Sequence, residues 1–217
     1  REVRMDQEIE AKFYLQDLAA FRQRLLSAGA ILTQPRVKET NLRFDTPERD
    51  LSNKAQVLRL RQDEAAHLTF KGPGALEGGV LARQEIEFEV SDFAAARRFL
   101  EALGYCVYTT YEKIRETFML AGVKISLDEM PFGTFTELEG PNPEAIRQLA
   151  ESLGLVWERR ITVSYLELFA QLKTRLALPF DDLTFEAFRE LSIRPEDLGV
   201  QPADGKLRKD RYASSRG

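Results

Sequence analysis

Three short runs place carboxylates at alternate positions. Glu8 and Glu10 stand in Q-E-I-E-A-K-F-Y (Gln7 to Tyr14), Glu85, Glu87 and Glu89 in Q-E-I-E-F-E-V (Gln84 to Val90), and Glu137 and Glu139 in T-E-L-E-G (Thr136 to Gly140). Basic residues recur with the same spacing: Lys12 follows the first pair, Arg59 and Arg61 stand in Q-V-L-R-L-R-Q, and Lys113 and Arg115 lie between Tyr111 and Phe118. Clustered carboxylate oxygens suit hard divalent cations such as Mg²⁺ or Mn²⁺. Clustered Arg and Lys suit polyphosphate, Arg through paired hydrogen bonds and Lys as a point charge. Together the two sets describe a pocket for a metal–polyphosphate complex.

Side chains two apart on a β-strand share a face, so these runs must be strands if their charges are to converge. In the first, Ile9, Ala11 and Phe13 form the apolar face opposite Glu8, Glu10 and Lys12. In Val123 to Asp128, Lys124, Ser126 and Asp128 oppose Val123, Ile125 and Leu127; in His67 to Lys71, Leu68 and Phe70 oppose His67, Thr69 and Lys71. Thr40 to Asp45 is a further strand, followed by T-P-E-R-D-L as a turn or short helix. Each acidic strand leads into an amphipathic helix ending near glycine: D-L-A-A-F-R-Q-R-L-L-S-A-G-A, D-F-A-A-A-R-R-F-L-E-A-L-G-Y and P-E-A-I-R-Q-L-A-E-S-L-G-L. Asp17 caps the first, whose stripe is Leu18, Phe21, Leu25 and Leu26, with Gly29 as its stop. A long helix is expected over Thr162 to Leu176, a short one over Phe180 to Leu191, and a mobile tail over Asp204 to Gly217.

About eight strands thus carry one apolar and one charged face. An open sheet could expose those charges to water. If the sheet closes, they line a tunnel and the apolar faces meet outer helices. The lining would hold Glu8, Glu10, Glu85, Glu87, Asp128, Glu137 and Glu139 beside Lys12, Arg59, Arg61, Lys71, Arg83, Lys113, Arg115 and Lys124. Enclosed charges of one sign would be too costly, whereas this near balance is tolerable when they are paired or liganded.

The 217 residues suffice for one good core or a domain with an appendage, and a net charge of −4 argues against a sequence-independent grip on nucleic acid. Cys106 is the single cysteine, which excludes an intrachain disulfide and a cysteine-cluster zinc site; it reads as a small buried strand residue. No apolar run reaches membrane-spanning length and no signal peptide is seen, so a cytoplasmic location is the default. Arg1 to Arg4 read as a leader outside the fold. His67, the only histidine, faces the tunnel by parity and reads as a wall residue. Gly72 to Gly79 lacks the G-K-[ST] ending of a phosphate loop and reads as a hairpin connection.

Glu8-x-Glu10-x-Lys12 resembles the amino-terminal signature of CYTH domains, the triphosphate tunnel metalloenzymes named for class IV adenylyl cyclase and thiamine triphosphatase. The likeness continues through N-L-R-F-D-T-P-E-R-D-L (Asn41 to Leu51), L-R-L-R, T-F-K-G-P, R-Q-E-I-E-F-E, E-K-I-R-E-T-F, L-D-E-M-P-F-G-T-F-T-E-L-E-G and S-Y-L-E-L (Ser164 to Leu168). It implies an α+β fold: an eight-stranded antiparallel closed β-barrel with helices outside. The domain is expected over residues 1–177; 178–217, which the likeness does not cover, reads as a helical extension and tail. By position it implies Glu8, Glu10, Asp128, Glu137 and Glu139 as ligands of Mg²⁺ or Mn²⁺, and Glu85 and Glu87 as residues that orient the basic set or help hold a second metal. Lys12, Arg59, Arg61, Lys71, Lys113 and Arg115 would bind phosphates, and Arg83 belongs to the same basic lining. Many relatives have Tyr where this chain has Arg43, and Val163 stands where a basic residue is expected.

The function so implied is a metal-dependent triphosphatase, with Glu8, Glu10, Lys12, Arg59 and Glu139 at its catalytic centre. Inorganic triphosphate is the most economical substrate, ahead of thiamine or nucleoside triphosphates. Class IV adenylyl cyclase is the alternative, and a non-catalytic polyphosphate sensor a third. The partner is a triphosphate-containing small molecule, with neither nucleic acid nor membrane, and a homodimer is left open.

Overall fold

The computed structural model describes residues 7–205. The expected leader, Arg1 to Arg4, and the expected tail from Lys206 onward lie outside the described residues. The alternating runs form strands β1 (Gln7–Leu15), β2 (Ile31–Asp45), β3 (Val57–Gln62), β4 (Ala66–Lys71), β5 (Ala75–Glu77), β6 (Val80–Val90), β7 (Cys106–Leu120), β8 (Val123–Met130) and β9 (Gly133–Glu139). The helices are α1 (Leu18–Ser27), α2 (Asp50–Asn53), α3 (Phe93–Ala102), α4 (Pro143–Ser152), α5 (Tyr165–Leu176) and α6 (Pro195–Leu198).

The strands close into a ring in the order β1-β9-β8-β7-β2-β3-β4-β6, and β6 returns to β1 through pairs from Gln7 with Gln84 to Glu10 with Leu81. Every neighbour pair is antiparallel, as expected of the tunnel barrel, and β5 adds a hairpin flap to β6. Closure follows from the two-faced strands. The outward Ile9, Ala11 and Phe13 of β1, Ile125 and Leu127 of β8 and Leu138 of β9 are buried against Phe21 and Leu25 of α1 and Ile146 and Leu149 of α4. On the far side Leu42, Phe44 and Leu60 pack on Leu100 of α3. Each such large apolar side chain stabilises the fold by roughly 1.5–3 kcal/mol when removed from water.

The three strand-to-helix echoes share one local design. Asp17, Asp92 and Asn142 each accept a hydrogen bond from the third helical N–H, of Ala20, Ala95 and Ala145, each cap stabilising its helix by about 1 kcal/mol. Among the described residues, no helix is long and apolar enough to cross a membrane.

The inward faces change character along the barrel. Beyond their charges, β1, β7, β8 and β9 present Tyr14, Tyr111, Met130 and Phe135 on the same parity. These join Tyr165, Leu168, Phe169 and Leu172 of α5 and Leu183, Phe188 and Leu198 in one buried cluster. Phe135 meets Tyr14 and Tyr165 edge-on, with ring centroids 5.2 and 5.1 Å away. Helix α5 therefore stoppers that part of the barrel, and the remaining space is bounded by charge.

Several expectations are corrected. Strand β2 begins at Ile31 rather than Thr40; Pro35 breaks its pairing with β7, and exposure on both faces leaves Ile31 to Lys38 without alternation. Phe180 to Leu191 forms turns instead of a helix, because Leu183 is strapped to β7 through Leu183 N–H to Thr110 O and Glu112 N–H to Leu183 O. Cys106 is exposed, not buried, and its thiol donates to Asp45 O at 3.3 Å. Leu26 leaves the expected α1 stripe and is exposed. Asp204, placed in the tail by sequence, is clamped to the barrel, accepting from the Gln16 and Asp17 N–H groups at 2.7 and 2.9 Å.

Candidate active site

The register gathers the charges by alternation alone. Glu10 stands opposite Glu139, Lys12 opposite Glu137, and Glu8 opposite Arg83. Arg59 faces Thr69, which faces Glu87, and Lys71 faces Glu85. All of these except Thr69, with Arg61, Lys113 and Arg115, line a cavity of about 570 Å³. Of the residues expected in the site, Asp128 alone is absent from that wall. It is fully buried behind Arg115, which grips both its oxygens at 2.6 Å; Lys113 at 3.3 Å and the Tyr165 hydroxyl at 2.9 Å share Oδ2.

The other ions are cross-linked over the cavity. Lys71 donates to both Glu8 oxygens at 2.8 Å and reaches Glu85 at 3.2 Å; Arg83 donates to Glu8 at 2.9 Å. Arg59 and Arg61 share Glu87 at 3.1 and 3.2 Å, and Arg59 also donates to the Tyr111 hydroxyl at 3.2 Å. Glu137 is held by Arg115 and, at 3.5 Å, by Lys12; Glu139 accepts from Lys124 at 2.6 Å.

Glu10 is the exception. Its one ionic neighbour is Arg83, at 3.7 Å. Burial first, then the charges of Glu137 and Glu8, push its carboxyl up to about 7. Burial also acts on Glu8, yet Lys71 and Arg83 overcome it and hold that group at about 2. Glu137, opposed by burial but beside Arg115 and Lys12, stays well below the usual carboxylate range. Of these three carboxylates Glu10 is thus the least neutralised.

The structure adds residues that the sequence reading left out of the site. Glu39, fully buried on β2, faces Lys113 at 3.6 Å and Arg61 at 3.8 Å. Burial works against its ionisation, but Lys113, Arg115 and Arg61 hold it at about 2. Arg43 lines the cavity, as do Tyr108, Tyr111 and Tyr165. The signal was present: Glu39, Asn41 and Arg43 alternate with Thr40, Leu42 and Phe44. At α5, no basic side chain replaces Val163, but its backbone carbonyl accepts from Lys12 Nζ at 3.2 Å. His67 keeps the inward parity yet lies outside the cavity lining.

Residues 6–165 match the model of the CYTH domain. The chain belongs to the CYTH family. A curated relative from Methanocaldococcus jannaschii, provisionally named an adenylate cyclase, is 26% identical over 172 residues, covering 74% of this chain and 97% of its own. A Vibrio parahaemolyticus structure with the same provisional name superposes with a TM-score of 0.68 at 24% identity, covering 75% of this chain and 97% of that one. A Hippeastrum structure, described as an adenylyl cyclase candidate with dominant triphosphatase activity, gives 0.57 at 22% identity, covering 75% and 95%. These two structural likenesses are likenesses of fold. As a CYTH protein the chain is a triphosphate-acting enzyme of a typically metal-dependent family.

The residues of this CYTH protein fit such a cation. Its free donors are carboxylate oxygens, the preference of Mg²⁺ and Mn²⁺, and Glu10 is the group that a positive charge would satisfy. Among the described residues no three acidic, histidine or cysteine side chains already converge as a ready-made cage, so substrate oxygens and water would complete the coordination. With Glu10 as a ligand, proton and cation would compete for it. The gain in Tm on adding Mg²⁺ should therefore shrink as pH falls from 8 through about 7 towards 5. Thermal melts across this range check it; a pH-independent gain would remove Glu10 from the cation site.

Proposed function

We propose that this CYTH protein is a divalent-metal-dependent triphosphatase whose preferred substrate is inorganic triphosphate. The observation that carries the reading is the under-neutralised Glu10, set between Glu8 and Glu137 and enclosed by a basic wall. Glu8, Glu10, Glu137 and Glu139 would hold the cation, which when bound neutralises phosphate charge and acidifies a water molecule. Lys12, Arg59, Arg61, Lys71, Arg83, Lys113 and Arg115 would bind the phosphoryl oxygens and stabilise charge as it moves to the leaving phosphates. Glu85 and Glu87 hold Lys71 and the arginine pair in place, and Asp128 positions Arg115 and Lys113.

The tyrosines support hydrolysis of an unadorned triphosphate. A base would need a free aromatic face. Tyr165 carries Lys12 over its ring at 4.1 Å and Tyr108 carries Arg49 at 3.9 Å, which leaves the face of Tyr111, whose hydroxyl is taken by Arg59, as the remaining aromatic surface of the lining. The second reading, a cyclase attacking the α-phosphate of ATP with a ribose oxygen, is favoured by the name of the curated relative. It requires a base and ribose seated in line with that phosphate. Incubation with tripolyphosphate, ATP and thiamine triphosphate, each with Mg²⁺ or Mn²⁺, separates the two. Phosphate release fastest from tripolyphosphate is expected; cyclic AMP as the main product from ATP, with negligible hydrolysis of tripolyphosphate, would promote the cyclase.

A further inference from the structure

Every other cationic side chain lining the cavity is paired with a carboxylate; among the described residues Arg43 alone has none. It sits directly across from Arg59 in the β2–β3 register, and the charge of Arg59 works against its own, as like charges opposite one another do. Its Nε is sealed from solvent without a partner. Burial, then Arg59 and Arg83, draw the Arg43 guanidinium below its ordinary range. Buried donors left unmade are costly, and adjacent cations double the demand for an anion.

The location of this pair identifies the anion. Strand β2 is four strands from β1 in either direction around the ring, so Arg43 lies across the barrel from Glu8 and Glu10. A chain with one end at the acidic wall would extend its other end toward Arg43. We propose that Arg43, with Arg59 opposite it, forms an oxyanion subsite for the second terminal phosphoryl group of an unesterified polyphosphate. Two guanidinium groups match a terminal phosphoryl group, which carries up to two charges and three free oxygens. The α-phosphate of a nucleotide carries one charge there and a bulky ester. The subsite rests on the triphosphatase reading and sharpens it, making Arg43 a determinant of selectivity for inorganic chains.

Steady-state kinetics of wild type, Arg43→Gln and Arg43→Lys with tripolyphosphate and with ATP test the subsite. Arg43→Gln should lower kcat/KM for tripolyphosphate at least tenfold, with a several-fold smaller loss for ATP, and Arg43→Lys should recover part of the difference. The ligand-free Tm of Arg43→Gln should rise, since an unpaired buried charge is gone; a role confined to holding the fold would lower it. Equal losses for both substrates, or none, would overturn the subsite. Should the wild type hydrolyse neither compound, the triphosphatase reading fails separately. The subsite is then judged by the Tm gain from tripolyphosphate with Mg²⁺: a smaller gain in Arg43→Gln supports it and an equal one refutes it.

Discussion

Glu10→Gln is expected to remove metal-dependent turnover while leaving the ligand-free protein at least as stable as the wild type. The activity loss should be about 10²–10³-fold or more, the scale seen when a preorganised electrostatic group is deleted. The stability effect has the opposite sign because the Glu10 carboxyl is held at about 7 against an ordinary 4.5. Between those values the folded protein keeps a proton that the unfolded chain releases. Its stability therefore falls as pH rises through that window, and above 7 the ionised group works against the fold by about 3 kcal/mol. A neutral amide of similar shape removes this term. Melts at pH 8 without metal, alongside turnover with Mg²⁺, check both halves; an active variant, or one that melts well below wild type, would contradict the placement of Glu10.

Asp128→Ala should act in the reverse way and destabilise the ligand-free protein by about 3–5 kcal/mol, since deleting one member of a buried ion cluster strands the others. The members are Arg115, which holds both Asp128 oxygens, and Lys113. For a chain of this size that corresponds to a fall of about 6–20 °C in Tm. Asp128→Asn keeps an acceptor for the Tyr165 hydroxyl but not the charge, so it should fall between. A metal-free melt decides: if Asp128→Ala matches wild type there and differs only with Mg²⁺, Asp128 is a ligand of the cation and not the anchor of Arg115.

The barrel and most of its lining were legible in the sequence because alternation is local and closure forces every charged face inward. Glu8, Glu10, Lys12, Arg59, Arg61 and Lys71 could be placed by parity alone. What escaped was tertiary in origin. Asp128 has the parity of a wall residue but sits behind Arg115, a depth that no strand pattern encodes. Glu39 was hidden because the first half of β2, around Pro35, lacks alternation and obscured where the strand began; Arg43 lay inside the expected strand and stood out from many relatives, but strand parity alone did not put it in the site. Phe180 to Leu191 has helix-like apolar spacing, yet the same Phe180, Leu183 and Phe188 fill the stopper from a chain of turns, since pairing with β7 satisfies the backbone differently.

The cross-linked lining has a thermodynamic consequence. A lone anion settling on Lys71 and Arg83 would strand Glu8, and a lone cation settling on Glu8 would strand Lys71. When both arrive, each takes over the partner the other displaced, and no buried charge is abandoned. Cation and triphosphate are then reciprocal effectors of one another: whatever factor the metal adds to the affinity for the anion, the anion adds to the affinity for the metal. With a coupling of about 1–3 kcal/mol, typical of such linkage, the barrel would discriminate against abundant free phosphates and free Mg²⁺ alike, responding to their coincidence.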